Sequence, residues 1–130
     1  MLKMFKRIKE NPSEWRYKIA EIIAGKLDME YFGVAGIYVI GSTKRYTAGT
    51  GSDIDLLIHF RGTDEQRKEL LAWLRGWGEC LAVITRETDG SETDNLLDIH
   101  VVTDDDIQHQ TSYAVMINSF YDRAKPLKLK

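Results

Sequence analysis

Residues 37–60 read IYVIGSTKRYTAGTGSDIDLLIHF, and this stretch decides how the chain folds. One apolar run, residues 37–40, stops at Gly41-Ser42, and a second begins at Ile54 after a polar, glycine-rich segment. Short apolar runs bounded by glycine and turn residues are typical of buried strands. The stretch therefore predicts two strands joined by a loop or by a short helix and a loop.

A helical pattern precedes these strands. Asn11 or Ser13 can cap a helix, Pro12 suits a first turn, and apolar residues recur at helical spacing over positions 15–27. The pattern predicts a helix that ends near residues 26–29.

The sequence beyond residue 60 predicts a further helix and two more strands. Thr63 and Gln66 form a capping box, and apolar residues follow at helical spacing over 70–77. Residues 81–85, LAVIT, predict a third strand. Residues 96–102, LLDIHVV, predict a fourth strand that pairs antiparallel with the third.

Thr103 and the three aspartates after it predict a last helix, since acidic residues favour a helix N-terminus. The order α-β-(α)-β-α-β-β-α predicts an α+β fold, with a mixed sheet and helices packed on one face. We expect a single domain over residues 1–130, with a core at about 15–105 and a C-terminal helix and tail at 104–130, since the length is that of one domain.

Composition excludes several classes of protein. Eighteen Lys and Arg against twenty Asp and Glu give a formal charge of -2, which argues against a generally basic nucleic-acid-binding protein. Cys80 is the only cysteine, which excludes an intramolecular disulfide and a cysteine-rich zinc site; we expect it to be buried. No apolar run is long enough for a membrane span, and residues 1–9 do not resemble a secretory signal. We expect a cytoplasmic protein without a membrane partner.

Two aspartates at the start of the second strand are candidate metal ligands. Because side chains alternate along a strand, Asp53 and Asp55 share one face, while Ile54 and Leu56 share the buried one. Two neighbouring carboxylates repel each other unless a cation lies between them, and oxygen ligands suit Mg²⁺. The alternative is a solvated strand start with two harmless acids.

A third acid, Asp98, interrupts the apolar strand at 96–102. A carboxylate inside a sheet is costly unless it is paired or binds a metal. The alternative is an edge-strand aspartate paired with Lys or Arg. Three carboxylates on neighbouring strands can hold two divalent ions roughly 3.5–4 Å apart, the arrangement used for displacement at phosphorus. We therefore predict Asp53, Asp55 and Asp98 as metal-binding and catalytic residues.

The Gly41-Ser42 turn is a candidate phosphate site. A glycine lets the backbone approach a ligand closely, and a helix starting at Ser42 would direct free N–H groups at an anion. Lys44 and Arg45 follow as candidate counter-charges. The alternatives are an ordinary turn and solvated loop charges.

Taken together, these motifs resemble the nucleotidyltransferase superfamily typified by DNA polymerase beta. Its pattern is a hydrophobic residue, Gly-Ser (here Gly41-Ser42), a spacer, Asp-hydrophobic-Asp-hydrophobic (residues 53–56), and later a hydrophobic-Asp-hydrophobic strand (around Asp98). The resemblance covers roughly residues 15–105, so the chain resembles a minimal, stand-alone member.

The resemblance implies that Gly41 and Ser42 hold a nucleoside triphosphate, ATP or another, and that Ser52 touches a phosphate. The spacer departs from the family because Lys44 and Arg45 stand where an Arg or small-residue pattern is common.

The resemblance also implies roles for the acids. Asp53 and Asp55 would bind both ions or the triphosphate-bound ion, and Asp98 would bind the second ion and help to deprotonate an acceptor hydroxyl. Two Mg²⁺ ions are implied, with Mn²⁺ as an alternative.

The resemblance therefore implies an Mg²⁺-dependent enzyme that moves a nucleoside monophosphate, AMP from ATP, onto an acceptor hydroxyl and releases pyrophosphate. About 28 residues follow the carboxylate strands, too few for a substrate domain, so we expect the acceptor on a partner protein or a second copy. Two alternatives stay open: a non-catalytic nucleotide-binding or antitoxin-like partner subunit, and a metal-dependent nuclease, which the net acidity disfavours.

Overall fold

The structure, a computed structural model, describes residues 8, 10–44, 48–49, 51–117 and 124–128. Its elements, in chain order, are α1 (Pro12–Lys26), α2 (Met29–Phe32), β1 (Val34–Ile40), α3 (Gly41–Lys44), β2 (Ile54–Phe60), α4 (Asp64–Asp89), β3 (Leu97–Val102), α5 (Asp104–Gln108), a 3₁₀ helix (Ser112–Ile117) and β4 (Lys125–Pro126). Arg45, one of the candidate counter-charges, lies outside the described residues.

The described strands form one mixed sheet in the order β3-β2-β1-β4. β1 pairs antiparallel with β2 and with β4, whereas β2 pairs parallel with β3. The α+β class with a mixed sheet is therefore confirmed. The parallel β2–β3 pair matters most for the site, because both of its strands begin at the same end of the sheet.

The predicted start of the first helix is confirmed. Asn11 is the N-cap of α1, and its side chain accepts a hydrogen bond from the Glu14 amide at 3.1 Å. Pro12 occupies the first turn, where a missing N–H costs nothing. Ser13 has another role: its hydroxyl donates to the Ala48 carbonyl at 3.2 Å and ties α1 to the segment that precedes β2.

The predicted third strand at 81–85 is wrong, because these residues belong to the 26-residue helix α4. Leu81 and Ala82 are buried while Val83 is 53% exposed, which continues the helical stripe set by Leu70 and Leu74. Helical periodicity over the whole segment thus outweighs the strand preference of a short β-branched run. β3 consequently pairs in parallel with β2 rather than antiparallel with a neighbour at 81–85.

The connection from α4 to β3 is anchored on α4 itself. Gly78 has no side chain where the helix meets the Asn95 side chain, and a Cβ there would collide with it. The Leu96 amide donates to the Gly78 carbonyl at 3.0 Å, and the Leu97 amide donates to the Asn95 side chain at 2.9 Å. These contacts fix the point at which β3 begins.

The main core lies between the sheet and the helices α1 and α4. The β2 residues predicted to face it are buried there: Ile54, Leu56, Ile58 and Phe60. The opposite face carries a smaller cluster around Leu57 and Val102, which Ala114 and Ala124 from the C-terminal segment cover. The acids at the start of β2 thus share a face with Leu57 that is buried further along the strand.

The α4 helix also corrects the expectation for Cys80, which is exposed on the helix rather than buried beside a strand. No helix among the described residues is long and apolar enough to span a bilayer.

Candidate active site

The register of the parallel strands brings two of the predicted acids together. Asp55 of β2 lies directly opposite Asp98 of β3. Both strands start at this end of the sheet, and both side chains project from the face opposite the main core, as strand alternation predicts. β3 is an edge strand, and the Asp98 side chain is 53% exposed.

A histidine completes this group. Potential ligand atoms of Asp55, Asp98 and His100 all lie within 4.8 Å of one another, and we call these three residues the acid cluster. His100 Nε2 lies 3.4 Å from Asp98 Oδ2 and 3.7 Å from Asp55 Oδ1. The sequence places His59 and His100 on the face of the acids, but a single histidine on a strand is more often a hydrogen-bonded structural residue than a ligand, so neither is predicted as a site residue. The signal for His100 was its position two residues after Asp98 on the same strand.

Two carboxylates dominate the electrostatics of the acid cluster. Burial and the neighbouring Asp98 together raise the pKa of Asp55 to about 6, although His100 partly opposes both. Among the described residues, no Lys or Arg forms an ion pair with Asp55 or Asp98. The alternative interpretation, an Asp98 paired with Lys or Arg, is therefore not observed among the described residues.

Asp53 immediately precedes β2 and is held separately. Its carboxylate accepts a hydrogen bond from the Thr93 hydroxyl at 3.2 Å, and it does not join the acid cluster. Burial raises the pKa of Asp53, the Thr93 hydrogen bond lowers it, and the charge of Asp98 raises it. Asp53 thus lies close enough to Asp98 for the charge of Asp98 to affect its pKa, although Asp53 does not belong to the acid cluster.

A buried arginine anchors the backbone next to Asp53. Arg16 of α1 is fully buried, and its Nε donates to the Ser52 carbonyl at 2.9 Å. Burial lowers the pKa of Arg16, while the charges of Asp89 and Asp53 raise it. The sequence alone assigns Arg16 no role, because its contact with Ser52 joins residues far apart along the chain.

Gly41 brings the backbone close to Asp55. Its φ of 68° is left-handed, and a Cβ there would lie 2.5 Å from Asp55 Oδ2. Glycine is required on both counts. The short helix α3 starts here and includes Ser42 and Lys44. Ser52 closes the following loop: its hydroxyl accepts from the Gly49 amide at 3.0 Å.

The donor set of the acid cluster fits a divalent cation. Two carboxylates from neighbouring strands offer the hard oxygen ligands that Mg²⁺ and Mn²⁺ take. A cation between them would remove the repulsion that contributes to the raised pKa of Asp55. The cluster is therefore a candidate metal centre.

The other end of β2 carries a second group of charges, His59, Arg61 and Asp104, which we call the far-end cluster. Asp104 accepts from His59 Nε2 at 2.7 Å and from Arg61 Nε at 2.9 Å. His59 and Arg61 together hold the pKa of Asp104 below its ordinary value. The predicted helix start is also confirmed, with Thr103 and Asp106 forming a capping box.

The sequence model of the nucleotidyltransferase domain family matches residues 16–118 of the 130-residue chain. The chain therefore belongs to the nucleotidyltransferase domain family, and the resemblance seen in the sequence is confirmed. It is a transferase with a nucleotide substrate. No curated protein sequence matches the chain.

Proposed function

We propose that this protein transfers AMP from ATP to an acceptor hydroxyl, with Mg²⁺ as the ion, Mn²⁺ as an alternative and pyrophosphate as the leaving group. The observation that carries the proposal is the pairing of Asp55 with Asp98 across two parallel strands, beside the Gly41 backbone. A carboxylate pair next to a glycine turn brings a cation site and a phosphate site together, as nucleotidyl transfer requires.

In the proposed arrangement, Asp55 and Asp98 would hold a divalent cation, and Asp53 together with Asp55 would hold the ion that accompanies the triphosphate. When bound, these ions neutralise the charge on the phosphates and polarise the α-phosphate. The Thr93 hydrogen bond and the Arg16 anchor support the part of the backbone from which Asp53 projects.

The protein groups would act on the acceptor and the nucleotide in turn. Asp98, half exposed on its edge strand, accepts the proton of the acceptor hydroxyl. The acceptor oxygen forms a bond to the α-phosphorus as the bond to the pyrophosphate oxygen breaks. Catalysis then rests mainly on positioning and on neutralising charge.

Gly41, Ser42 and Ser52 are proposed to bind the triphosphate. The tight contact of Gly41 with Asp55 supports this role, because phosphate oxygens near the Gly41-Ser42 backbone would lie next to the cation ligands. The Ser52 hydroxyl oxygen already accepts from Gly49, so its proton is what it would donate to a phosphate.

We propose that the acceptor belongs to another macromolecule, a partner protein or a second copy. The exposure of Asp98 on an edge strand supports this, because a bulky acceptor can reach it. α-Labelled ATP added to cell extract should then label one further macromolecule when the parent protein is added. γ-Labelled ATP should give no further label that depends on the parent protein, since the γ-phosphate leaves with pyrophosphate.

Thermal unfolding with each nucleoside triphosphate tests the core of the proposal. Mg²⁺ and ATP at about 100 times the dissociation constant should add roughly 2.7 kcal/mol to the free energy of unfolding. Asp55→Asn should lose this stabilisation. Asp104→Asn, which alters a carboxylate of the far-end cluster, should keep it.

A nucleotide that stabilises the parent and Asp55→Asn equally would remove the metal role of Asp55. Stabilisation without pyrophosphate release in the presence of extract would favour the non-catalytic partner subunit. Cleavage of nucleic acid without ATP would favour the nuclease.

A further inference from the structure

The acid cluster contains a nitrogen donor as well as two carboxylates. His100 Nε2 is directed at both acids, 3.4 Å from Asp98 and 3.7 Å from Asp55. Hydrogen bonds from nitrogen to oxygen are about 2.7–3.2 Å long, so both distances are longer than usual for one. Donors around one ion bonded at about 2.1 Å are about 3 Å apart when adjacent and about 4 Å when opposite. The distances from His100 Nε2 to the two carboxylates, 3.4 Å and 3.7 Å, fall in that range.

The imidazole is held in this orientation by packing. The Tyr113 ring stacks on His100 with ring centroids 3.9 Å apart and an interplanar angle of 27°. The His100 side chain is only 16% exposed, whereas Tyr113 itself is 41% exposed. A ring fixed by stacking loses little freedom when its nitrogen binds an ion.

The second histidine on the same face of the sheet shows a different arrangement. His59 Nε2 lies 2.7 Å from Asp104, which is a short hydrogen bond. Arg61 also donates to that carboxylate, at 2.9 Å. His59 thus makes a short hydrogen bond to one acid, whereas His100 lies beside two acids at ligand spacing.

We infer that His100 is a nitrogen ligand of the cation at the acid cluster, so that the site binds Mn²⁺ in preference to Mg²⁺. This rests on the proposed function in that it requires a divalent cation at Asp55 and Asp98. Affinity for sites with nitrogen donors rises along the first-row transition ions from Mn²⁺ upward, whereas Mg²⁺ takes oxygen ligands almost exclusively. Mn²⁺ is the ion of that series that also suits carboxylates, so a carboxylate pair with one imidazole favours it over Mg²⁺.

Pulsed electron paramagnetic resonance of the full chain loaded with Mn²⁺ tests the inference without using activity. Nitrogen modulation of the Mn²⁺ electron-spin echo is expected in the parent. It should change frequency when the histidines are labelled with ¹⁵N, disappear in His100→Gln, and persist in His59→Gln. The isotope measurement needs no substitution, so it stands even where a variant fails to fold.

Binding of Mn²⁺ and Mg²⁺, measured by calorimetry, gives a second readout. His100→Gln should weaken Mn²⁺ roughly tenfold or more, while Mg²⁺ affinity changes by less than about threefold. His59→Gln should alter neither. If both ions weaken equally, or if the Mn²⁺ echo carries no nitrogen modulation, His100 is a counter-charge and the inference is overturned.

Failure of the His100 ligand and failure of the metal site give different results. Mn²⁺ that binds the parent, is lost in Asp55→Asn and shows no nitrogen modulation would overturn the inference and leave the proposed metal site standing. Mn²⁺ that binds equally well to the parent and to Asp55→Asn would overturn both.

Discussion

The two ends of the β2–β3 pair hold similar groups in opposite electrostatic states. At one end, Asp55 and Asp98 lie side by side, and the pKa of Asp55 is raised to about 6. At the other end, Asp104 is bound by His59 and Arg61, and its pKa is lowered. Both ends have a carboxylate and a histidine, yet among the described residues only the far-end cluster adds an arginine that pairs with its acid.

The difference shows how to tell a structural charge group from a functional one. The far-end cluster is complete, because its acid has a guanidinium and an imidazole within hydrogen-bonding distance. The acid cluster has two carboxylates, one histidine beyond ordinary hydrogen-bonding distance, and no Lys or Arg partner among the described residues. Two carboxylates that repel each other without a bound ion indicate a site that a cation would stabilise.

The largest expected difference between the two ends is in turnover. Asp98→Asn should lower the rate of pyrophosphate release roughly 10³-fold, since losing about 4 kcal/mol of transition-state stabilisation has that effect. Asp104→Asn should stay within about twofold of the parent, because surface substitutions away from the site change little. Pyrophosphate release under saturating Mg²⁺-ATP, with extract as the source of acceptor, measures both. Equal loss in the two variants would erase the functional distinction between the ends.

A smaller effect is expected where the backbone meets the acid cluster. Gly41→Ala should lower the free energy of unfolding by about 1–2 kcal/mol, because alanine is strained at this φ and its methyl group would displace the Asp55 carboxylate. Gly49→Ala is the matched control, since a Cβ there meets nothing within 4 Å. Urea denaturation of both variants makes the comparison. A neutral Gly41→Ala would mean that the close approach to Asp55 does not constrain the turn.

The smallest expected effect is a gain in stability at the acid cluster. Without metal, the raised pKa of Asp55 means that the folded state holds its proton more tightly than the unfolded chain does. Parent stability should therefore fall as the pH rises from about 4 to about 6. Asp55→Asn removes this loss and should be more stable by about 1 kcal/mol at pH 7.5, a value reduced for the partial solvent exposure of the group.

Denaturation with a chelator present, repeated at pH 7.5 and pH 4, tests the sign. The advantage of Asp55→Asn should vanish at the lower pH. Asp104→Asn should instead lower the stability at pH 7.5. The lowered pKa of Asp104 means that its charged form stabilises the folded state at any pH above the ordinary pKa of an aspartate. A parent that matches Asp55→Asn at both pH values would show that the acids do not repel in the empty site.

The sequence predicts those parts of the fold that local rules govern. The Asn11 cap, the Thr63–Gln66 capping box and the two strands around Gly41 are confirmed, because each is set by neighbouring residues. The prediction of a strand at residues 81–85 is wrong because a short β-branched run fits a strand and a helix equally well. Only contacts with distant residues, seen in the burial of Leu81 and the exposure of Val83, decide between them.

The candidate site was predictable to the extent that it depends on alternation along single strands. Alternation of side chains along a strand puts Asp53 and Asp55 on one face of β2, and it puts Asp98 and His100 on one face of β3. This alternation does not predict that Asp55 lies opposite Asp98, which depends on the register of the parallel strands. The Thr93 and Arg16 contacts beside Asp53 were beyond reach, because they join residues far apart in the sequence. The roles of the acids, and the single-domain boundaries, stay predictions.

The parallel pairing of β2 with β3 also has a consequence for the order of folding. Parallel strands cannot form a hairpin, so the chain must complete a crossover, here the 26-residue helix α4, before they meet. Such non-local pairing carries a larger loop-closure cost than local contacts do and forms later. We therefore expect the antiparallel β1–β2 pair to assemble first and β3 to dock afterwards. The two carboxylates of Asp55 and Asp98 then come together only after the β1–β2 pair has assembled.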